Sequence, residues 1–170
     1  MQVFQLLLIC RKRNKYITTM SMPSDRFYRN LAQRESGGDA RCVNEYGFMG
    51  LYQMGQPALQ DVGYMNDRGG WTGRDGIMSR EDFLNNPDIQ TRAIRAYHSI
   101  VWNQYLPEYV RSSVGRVING VTLTISGLIA GAHLVGHERL ARYVRTNGQE
   151  DACDEIGTRC SEYVRQFGRY

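Results

Sequence analysis

The chain has few of the features that mark membrane, metal-binding or nucleic-acid-binding proteins. Its one marked apolar run, from Val3 to Cys10, is too short to span a bilayer. Its four cysteines show no CxxC spacing and no clustered histidine pair, so we expect no metal site and no cofactor. The arginines are scattered along helical stretches without a basic arm, which argues against nucleic acid as a partner.

Signs of extended β structure are also scarce. No segment alternates apolar and polar residues for long enough to predict a parallel sheet, and a βαβ dinucleotide site is therefore unsupported. The sequence contains no internal repeats, linkers or low-complexity tracts. With 170 residues, of which 42% are hydrophobic and 22% charged, the chain has the size and composition of one globular domain. Its net charge of +4 favours anionic partners, which include the bacterial cell wall.

Residues 1–22 differ in composition from the rest of the chain. Both lysines, Lys12 and Lys15, follow the apolar run, whereas a secretory signal carries its positive charges before that run and small residues after it. We therefore expect residues 1–22 to be an N-terminal extension that need not belong to the fold. Residues 23–170 are expected to form the domain, exported or delivered without a classical signal peptide.

Helix start and stop signals recur throughout residues 23–170. Ser24 can cap a helix that aligns Phe27, Leu31 and Glu35 on one face and ends at Gly37. The fold class predicted is mainly α, with little or no β structure. The further helices that we expect are a short one with Pro57 in its first turn, one opened by Asn86-Pro87, one from Pro107 through Val117, a buried one capped by Thr122 or Thr124, one ending at Asn147-Gly148 and one over 161–167.

The two C-terminal cysteines leave the redox state open. Cys153 and Cys160 flank a short loop that contains Gly157. They could form a disulfide in an oxidising compartment, and two free thiols fit the spacing equally well.

Glu35 is the best candidate for chemistry. A glycosidic bond breaks through an oxocarbenium-like transition state, and its leaving oxygen needs a proton donor at neutral pH. Burial disfavours the charged form of a carboxyl group, which suits a glutamic acid to that task. Glu35 continues an apolar stripe near a helix end. Periodicity alone favours an ordinary solvent-facing glutamate there, and the neighbouring residues change that interpretation.

Two linked motifs surround Glu35, namely Glu35-Ser36-Gly37-Gly38 and, after Asn44, Gly47-Phe48-Met49-Gly50-Leu51-Tyr52-Gln53-Met54. They resemble the Glu-Ser and Gly-x-x-Gly-Leu-x-Gln-Met elements of family 23 lytic transglycosylases and related lysozyme-like enzymes. The resemblance implies a lysozyme-like α-helical domain with a substrate groove. Glu35 would be the general acid and then the base, Ser36 would position the sugar or the carboxyl, and Gln53 would line the groove. Gly50 would let the backbone turn tightly beside the substrate.

A third motif of that family, Ala-x-Asn-x-Gly with a preceding tyrosine, corresponds to residues 131–136. Here His133 stands in place of the tyrosine and Leu134 in place of the asparagine, which leaves open how the carboxyl group is oriented. A histidine can donate a hydrogen bond and can titrate near neutral pH. His133 is therefore either a substrate-side partner of the site or a satisfied core histidine between helices.

A longer pattern of packing and loop residues covers about residues 24–170. It is similar to lysozyme-like hydrolases carried by phage tails and contractile secretion systems, among them type VI secretion effectors. The residues that carry this similarity are Trp71, Gly73, Asp75-Gly76, Phe83-Leu84, Gln90, Ala93, Ser126-Gly127-Leu128, Ala132-His133-Leu134 and Ser161-Glu162-Tyr163.

Aromatic residues near the motifs are candidates for stacking on sugar rings. Five lie there in sequence: Tyr46, Phe48, Tyr52, Tyr64 and Trp71. Most aromatic residues at such spacing belong to the core, so we expect Tyr52 and Tyr46 to contact substrate and the others to pack.

The reaction expected from the resemblance is cleavage of the β-1,4 bond between N-acetylmuramic acid and N-acetylglucosamine in peptidoglycan, with formation of 1,6-anhydromuramic ends. A hydrolytic muramidase would cut the same bond but needs a second carboxylate. Asp39, Glu45 and Asp61 are the nearest acids in sequence, and Asp39 or Asp61 is the best candidate if hydrolysis occurs.

Two alternatives concern the role of the protein rather than the bond it cuts. A non-catalytic glycan-binding or tail-structural module could keep this fold without turnover, although the intact Glu-Ser pair argues against it. An antibacterial effector would act in the periplasm or on the cell wall of a rival and would be neutralised by an immunity or inhibitor protein. The expected partners are peptidoglycan strands and, for an effector, that immunity protein.

Overall fold

A computed structural model describes residues 22–170, so nearly all of the predicted extension over residues 1–22 lies outside the described residues. Within the described part, the chain forms eight α-helices and one two-stranded antiparallel hairpin, which confirms the mainly α prediction. The helices are α1 (Asp25–Ser36), α2 (Gln56–Asp61), α3 (Arg80–Leu84), α4 (Pro87–Ile100), α5 (Glu108–Arg111), α6 (Ile125–Val135), α7 (His137–Arg145) and α8 (Cys160–Gln166). The hairpin strands are β1 (Val117–Ile118) and β2 (Val121–Thr122).

Helix α1 begins and ends where its capping residues predict. The Ser24 hydroxyl accepts a hydrogen bond from the Phe27 amide at 3.4 Å, and Gly37 adopts the left-handed conformation, with a φ of 65°, that closes the last turn. Phe27 and Leu31 are fully buried. The apolar stripe of α1 thus faces the core, and Glu35 lies in its last turn.

The prediction of a helix from Pro107 through Val117 is wrong. Helix α5 ends at Arg111, because the chain then turns through Gly115, whose φ is 90°, into the hairpin. Val117 pairs with Thr122 across the two strands. Thr122 is therefore a strand residue, and Thr124 caps α6 by accepting from the Gly127 amide at 3.0 Å. Of the three valines spaced like a helical stripe, Val110 lies in α5, Val114 lies in the turn and only Val117 lies in the hairpin.

Helix α6 lies at the centre of the core and packs against α7 and α8. Leu128, Ile129 and Ala130 are fully buried. Two glycines allow the close approach of α8: a Cβ atom at Gly127 would lie 2.6 Å from the Val164 carbonyl oxygen, and one at Gly131 would lie 2.9 Å from a Val164 methyl group. The small residues of α6 therefore set the distance between these two helices.

Three loops each contain a five-residue turn of the same type. In each, the side-chain oxygen of the first residue accepts the backbone N–H groups of the third and fifth residues, and the fourth is a glycine with positive φ. The turns begin at Asn44, Asn66 and Asp154. These side chains hold the glycine-rich loops in one conformation without regular secondary structure.

The cysteines within residues 22–170 are free thiols. Cys153 is exposed on a loop, whereas Cys160 is buried at the start of α8, where burial raises its pKa to about 12. Of the two alternatives for this pair, the structure has the free thiols rather than the disulfide. No helix of the described residues is both long enough and apolar enough to cross a membrane.

Candidate active site

The Glu35 carboxyl group lies at the junction of α1, α6 and α8. Its side chain is 15% exposed. One of its two oxygens, Oε1, accepts a hydrogen bond of 2.8 Å from the Tyr163 hydroxyl and lies 3.7 Å from Nε2 of His133. The other oxygen, Oε2, has no hydrogen-bond partner among the described residues. One oxygen is thus held by the protein, and the other can carry a proton to a ligand.

Tyr163 is a site residue that sequence reasoning missed. It lies on α8 and is 3% exposed. Its pKa is raised, chiefly by burial and further by the nearby charge of Glu35, so the hydroxyl stays protonated and donates. Arg34 lies over the Tyr163 ring at 5.8 Å. In the sequence Tyr163 marked only the end of a packing pattern, and its partner is 128 residues away.

The structure brings His133 to Glu35, and both roles considered for this histidine are compatible with its position. Its side chain is 9% exposed. Nε2 faces the carboxylate, and Nδ1 lies 3.3 Å from Nε2 of His98, a buried residue of α4. His133 is therefore packed between helices while still facing Glu35.

Ser36 connects α1 to the second motif. Its hydroxyl lies 3.1 Å from the Ala32 carbonyl oxygen and 3.0 Å from that of Leu51, so one proton is shared between two acceptors. The second acceptor belongs to the loop of residues 42–54, which we call the motif loop. Ser36 thus fixes the motif loop against the helix end that carries Glu35.

Gln90 holds the motif loop from the other side, and sequence reasoning noted it only as a packing residue. It is 1% exposed. Its Oε1 atom accepts from the Leu51 amide at 2.8 Å, and its Nε2 atom donates to the carbonyl oxygens of Ala40 at 3.0 Å and Phe83 at 2.8 Å. All of these partners are backbone groups, so the Gln90 side chain fixes the distances between the backbone segments that contain them.

Gly50 is buried and faces Gln90 rather than open space. A Cβ atom at Gly50, whose φ is 77°, would lie 2.6 Å from Gln90 Oε1. The prediction that Gly50 turns tightly fits its backbone conformation, and its position beside the substrate stays a prediction. Its absent side chain makes room for the glutamine.

Tyr52 also lies in the core, and its predicted contact with a sugar stays a prediction. It is 3% exposed, its hydroxyl lies 3.0 Å from Thr91 Oγ1, and its ring packs edge-on to Tyr28. The residue is therefore almost entirely covered by protein. Tyr46, in contrast, is 63% exposed at the tip of the motif loop and can be reached by a ligand.

Gln53 keeps its amide within the motif loop. Its Nε2 atom donates to the Gly50 carbonyl oxygen at 3.1 Å, and its own φ of 46° is unusual for a residue with a side chain. The strained backbone and the intraloop bond indicate that Gln53 shapes the loop. The predicted contact with a saccharide stays a prediction.

The three acids considered as hydrolytic partners are all exposed, and none contacts Glu35. The Asp39 carboxylate accepts from the Arg41 amide of its own turn at 2.8 Å. Hydrogen bonding to Asp61, then burial and the Asp61 charge, raise the pKa of Tyr105. No hydrogen bond orients Glu45 within the described part of the chain.

A surface cavity lies at the opposite end of α1 from Glu35. It is lined by Arg26, Arg165, Gln166, Arg169 and Tyr170. Arg26 and Glu35 are separated by two and a half helical turns, roughly 13 Å along the axis. The cavity is therefore separate from the carboxyl group, and the predicted substrate groove stays a prediction.

Comparisons with known proteins assign no role to these residues. The chain matches no protein-family model, no curated protein and no solved structure. Within residues 22–170, no group of three or more His, Cys, Asp and Glu side chains could hold a metal ion. The contacts of Glu35 and the motifs around it therefore carry the argument about function.

Proposed function

We propose that this protein cleaves the β-1,4 bond between N-acetylmuramic acid and N-acetylglucosamine in peptidoglycan, as a lytic transglycosylase with Glu35 as its acid and base. The observation that carries the proposal is the asymmetry of the Glu35 carboxyl group. Oε1 is held by Tyr163 and faces His133, whereas Oε2 has no partner among the described residues. A general acid needs one oriented oxygen and one that is free to donate.

The position of the acid proton follows from these contacts. Because Tyr163 donates to Oε1, that oxygen acts as an acceptor, and the proton of the neutral acid belongs on Oε2. The side chain is 15% exposed, so a glycosidic oxygen can approach Oε2 while most of the carboxyl group is shielded from water.

The reaction then proceeds in two proton transfers. Glu35 donates its proton to the leaving glycosidic oxygen as the bond to the anomeric carbon of the muramic sugar breaks, and the acetamido group of that sugar assists the departure. The C6 hydroxyl of the same sugar next attacks the anomeric carbon. Glu35 takes the proton of that hydroxyl, a 1,6-anhydro ring closes, and no water is consumed.

The surroundings of Glu35 favour this route over hydrolysis. A retaining glycosidase places its second carboxyl group about 5 Å from the first. Tyr163 and His133 are the polar partners of the Glu35 carboxyl group within residues 22–170, and neither is an acid. A route in which the substrate supplies its own nucleophile suits a site with a single carboxyl group at its centre.

Product analysis of digested sacculi tests the proposal. We expect mass spectrometry to detect anhydro-muropeptides, and Glu35→Gln to reduce their rate of release by at least about 100-fold, the scale of a lost general acid. Glu138→Gln is the matched control, since Glu138 is an exposed acid on α7, and it should retain wild-type activity. Products with only reducing ends would show that the protein is a hydrolytic muramidase rather than a transglycosylase. Unchanged clearance by Glu35→Gln would leave glycan binding as the better hypothesis.

The site of action that we propose is the periplasm or cell wall of a bacterium, with a role as an antibacterial effector. This follows from the resemblance of residues 24–170 to effector and phage-tail enzymes. Expression targeted to the periplasm should lyse cells, untargeted expression should not, and an immunity protein should relieve the toxicity. Harmless periplasmic expression of an active enzyme would contradict the effector role while leaving the chemistry intact.

A further inference from the structure

Two histidines connect the core of the protein to Glu35. His98 Nε2 lies 3.3 Å from His133 Nδ1, and the two rings meet edge-on at 89°. His133 Nε2 in turn lies 3.7 Å from Glu35 Oε1. Each ring thus has one nitrogen facing the next group in the row.

His98 is enclosed by aromatic rings. It is 1% exposed, lies against Tyr28 in a stacked arrangement at 5.7 Å and against Phe27 at 6.0 Å, and leaves its Nδ1 atom without a partner among the described residues. Burial, and then the neighbouring His133, lowers the pKa of His98 well below 6.5, so the ring is neutral and carries one N–H.

The other titratable groups around the pair leave His98 neutral as well. Burial raises the pKa values of Tyr28 on α1 and of Tyr97 on α4, so both hydroxyls stay protonated. Arg95 lies over the Tyr28 ring, at 4.1 Å from its centre, and pairs with Asp25. On the α8 side, Tyr163 donates to Glu35.

We propose that His98 is a positioning residue, which fixes through its ring-to-ring hydrogen bond the nitrogen of His133 that carries a proton, so that His133 presents an N–H to Glu35. The consequence for catalysis rests on the function proposed above. The arrangement of the two rings does not.

The tautomer of His98 follows from its two nitrogens. With its proton on Nδ1, His98 would bury an N–H without an acceptor among the described residues, and the cost is the full desolvation of that donor. Backbone donors without a partner are rarer in proteins than unpartnered acceptors, and we expect the same of ring nitrogens. With its proton on Nε2, His98 donates to His133 instead. The second arrangement satisfies the only donor of the ring.

The tautomer of His133 follows from that of His98. Its Nδ1 atom must then accept, so the proton of a neutral His133 lies on Nε2. That nitrogen faces Glu35 Oε1, where an N–H is attracted and a lone pair is repelled. The unpartnered Nδ1 atom of His98 and the carboxylate of Glu35 therefore favour the same tautomers, with the proton on Nε2 of both histidines.

This arrangement has a chemical consequence for the acid. Both nitrogens of His133 are committed, so it can take up another proton only if His98 adopts its unfavourable tautomer. His98 therefore holds His133 in the form that faces Oε1 with an N–H. An imidazolium 3.7 Å from the carboxyl group would favour its ionised form and oppose proton donation. Oε1 instead faces two neutral donors, and the acid proton is confined to Oε2.

Long-range proton–nitrogen NMR of histidine side chains tests the tautomers directly. The chain has three histidines, so His98→Gln and His137→Gln suffice for assignment. We expect the Nε2–H form for both His98 and His133 in the wild-type protein at neutral pH, and a His98 ring that stays neutral where a free imidazole becomes protonated. An Nδ1–H form of His98, or a doubly protonated His133 at neutral pH, would overturn the proposal.

The pH profile of sacculus digestion tests the effect on catalysis. In His98→Phe, which lacks the donor, the alkaline limb of kcat/KM should move to lower pH by about one unit, the lower end of the effect of a nearby opposite charge. His98→Gln, whose amide N–H can replace Nε2–H, should restore the profile. An unmoved limb in a folded His98→Phe protein would contradict the positioning role.

The two failures can be distinguished. If wild-type sacculus digestion yields no product while the NMR spectra show the expected tautomers, the proposed function is wrong and the positioning role of His98 is retained. If anhydro products form but the tautomers differ from those expected, the positioning role is wrong and the proposed transglycosylase function is retained. His137→Phe is the matched control for both measurements, because that ring lies against Tyr105 rather than against His133.

Discussion

Ser36 connects the helix that carries Glu35 to the motif loop through a single hydroxyl group. Ser112 at the end of α5 is a natural comparison. Each hydroxyl bonds the carbonyl oxygen four residues earlier, at 3.1 Å for Ser36 and 2.8 Å for Ser112, but only Ser36 also reaches a second segment, at Leu51. The difference between the two serines therefore isolates the contact between helix and loop.

Ser36→Ala should lower the free energy of unfolding by about 1 kcal/mol more than Ser112→Ala, because the Leu51 carbonyl oxygen loses its hydroxyl partner. Urea denaturation followed by tryptophan fluorescence measures both values. Equal effects of the two substitutions would show that water replaces the Ser36 hydroxyl at no cost. In that case the serine does not hold the motif loop.

Sequence motifs indicated the site residues close to Glu35 along the chain and one from another element, His133, but they missed Tyr163 and Gln90. The Glu35-Ser36 pair and the glycine-rich motif loop could be predicted because their spacing is local. Tyr163 and Gln90 could not, because their contacts span 128 and 39 residues and depend on how whole helices pack. The packing of Tyr52 against Tyr28 could not be predicted for the same reason, since nothing local distinguishes a ring that stacks on sugar from one that packs on another ring.

At the scale of elements, caps predicted helix positions better than apolar periodicity did. Ser24 and Thr124 each mark a helix start with a side chain that accepts a backbone N–H. The spacing of Val110, Val114 and Val117 suggested one helix, but the glycine turn at Gly115 takes the last valine into β1. Apolar periodicity does not show where a hairpin forms in place of a helix. A glycine with positive φ marks such a turn, but its φ is known only from the structure.

Gly127→Ala tests the packing of α6 against α8. Alanine should favour an isolated helix by about 1 kcal/mol, but here its Cβ atom would lie 2.6 Å from the backbone oxygen of Val164. We expect a net loss of about 1–3 kcal/mol in the free energy of unfolding, as for other overpacked cores. Gly131→Ala should cost less, because its closest neighbours are side-chain atoms that can move. Stabilisation by Gly127→Ala would mean that the two helices are not in close contact.

At the scale of the whole molecule, the buried His98 links folding to pH. Its pKa is well below 6.5 in the folded protein and returns to about 6.5 when the chain unfolds. Below that pH the unfolded chain takes up a proton that the folded chain excludes. The stability contributed by the neutral ring is therefore fully present above about pH 6.5 and is lost as the pH falls.

We expect the free energy of unfolding of the wild-type protein to fall between about pH 6.5 and pH 5, with His98 contributing a slope of up to about 1.4 kcal/mol per pH unit. Most carboxyl groups titrate below this window, so histidines dominate it. His98→Gln should remove this part of the slope, whatever its effect on stability at neutral pH. His137→Gln should keep it, because His137 lies against Tyr105 at the α7 start and outside the buried aromatic cluster. Urea denaturation across this range decides the matter: wild-type and His98→Gln curves that run parallel would mean that His98 is protonated inside the folded protein.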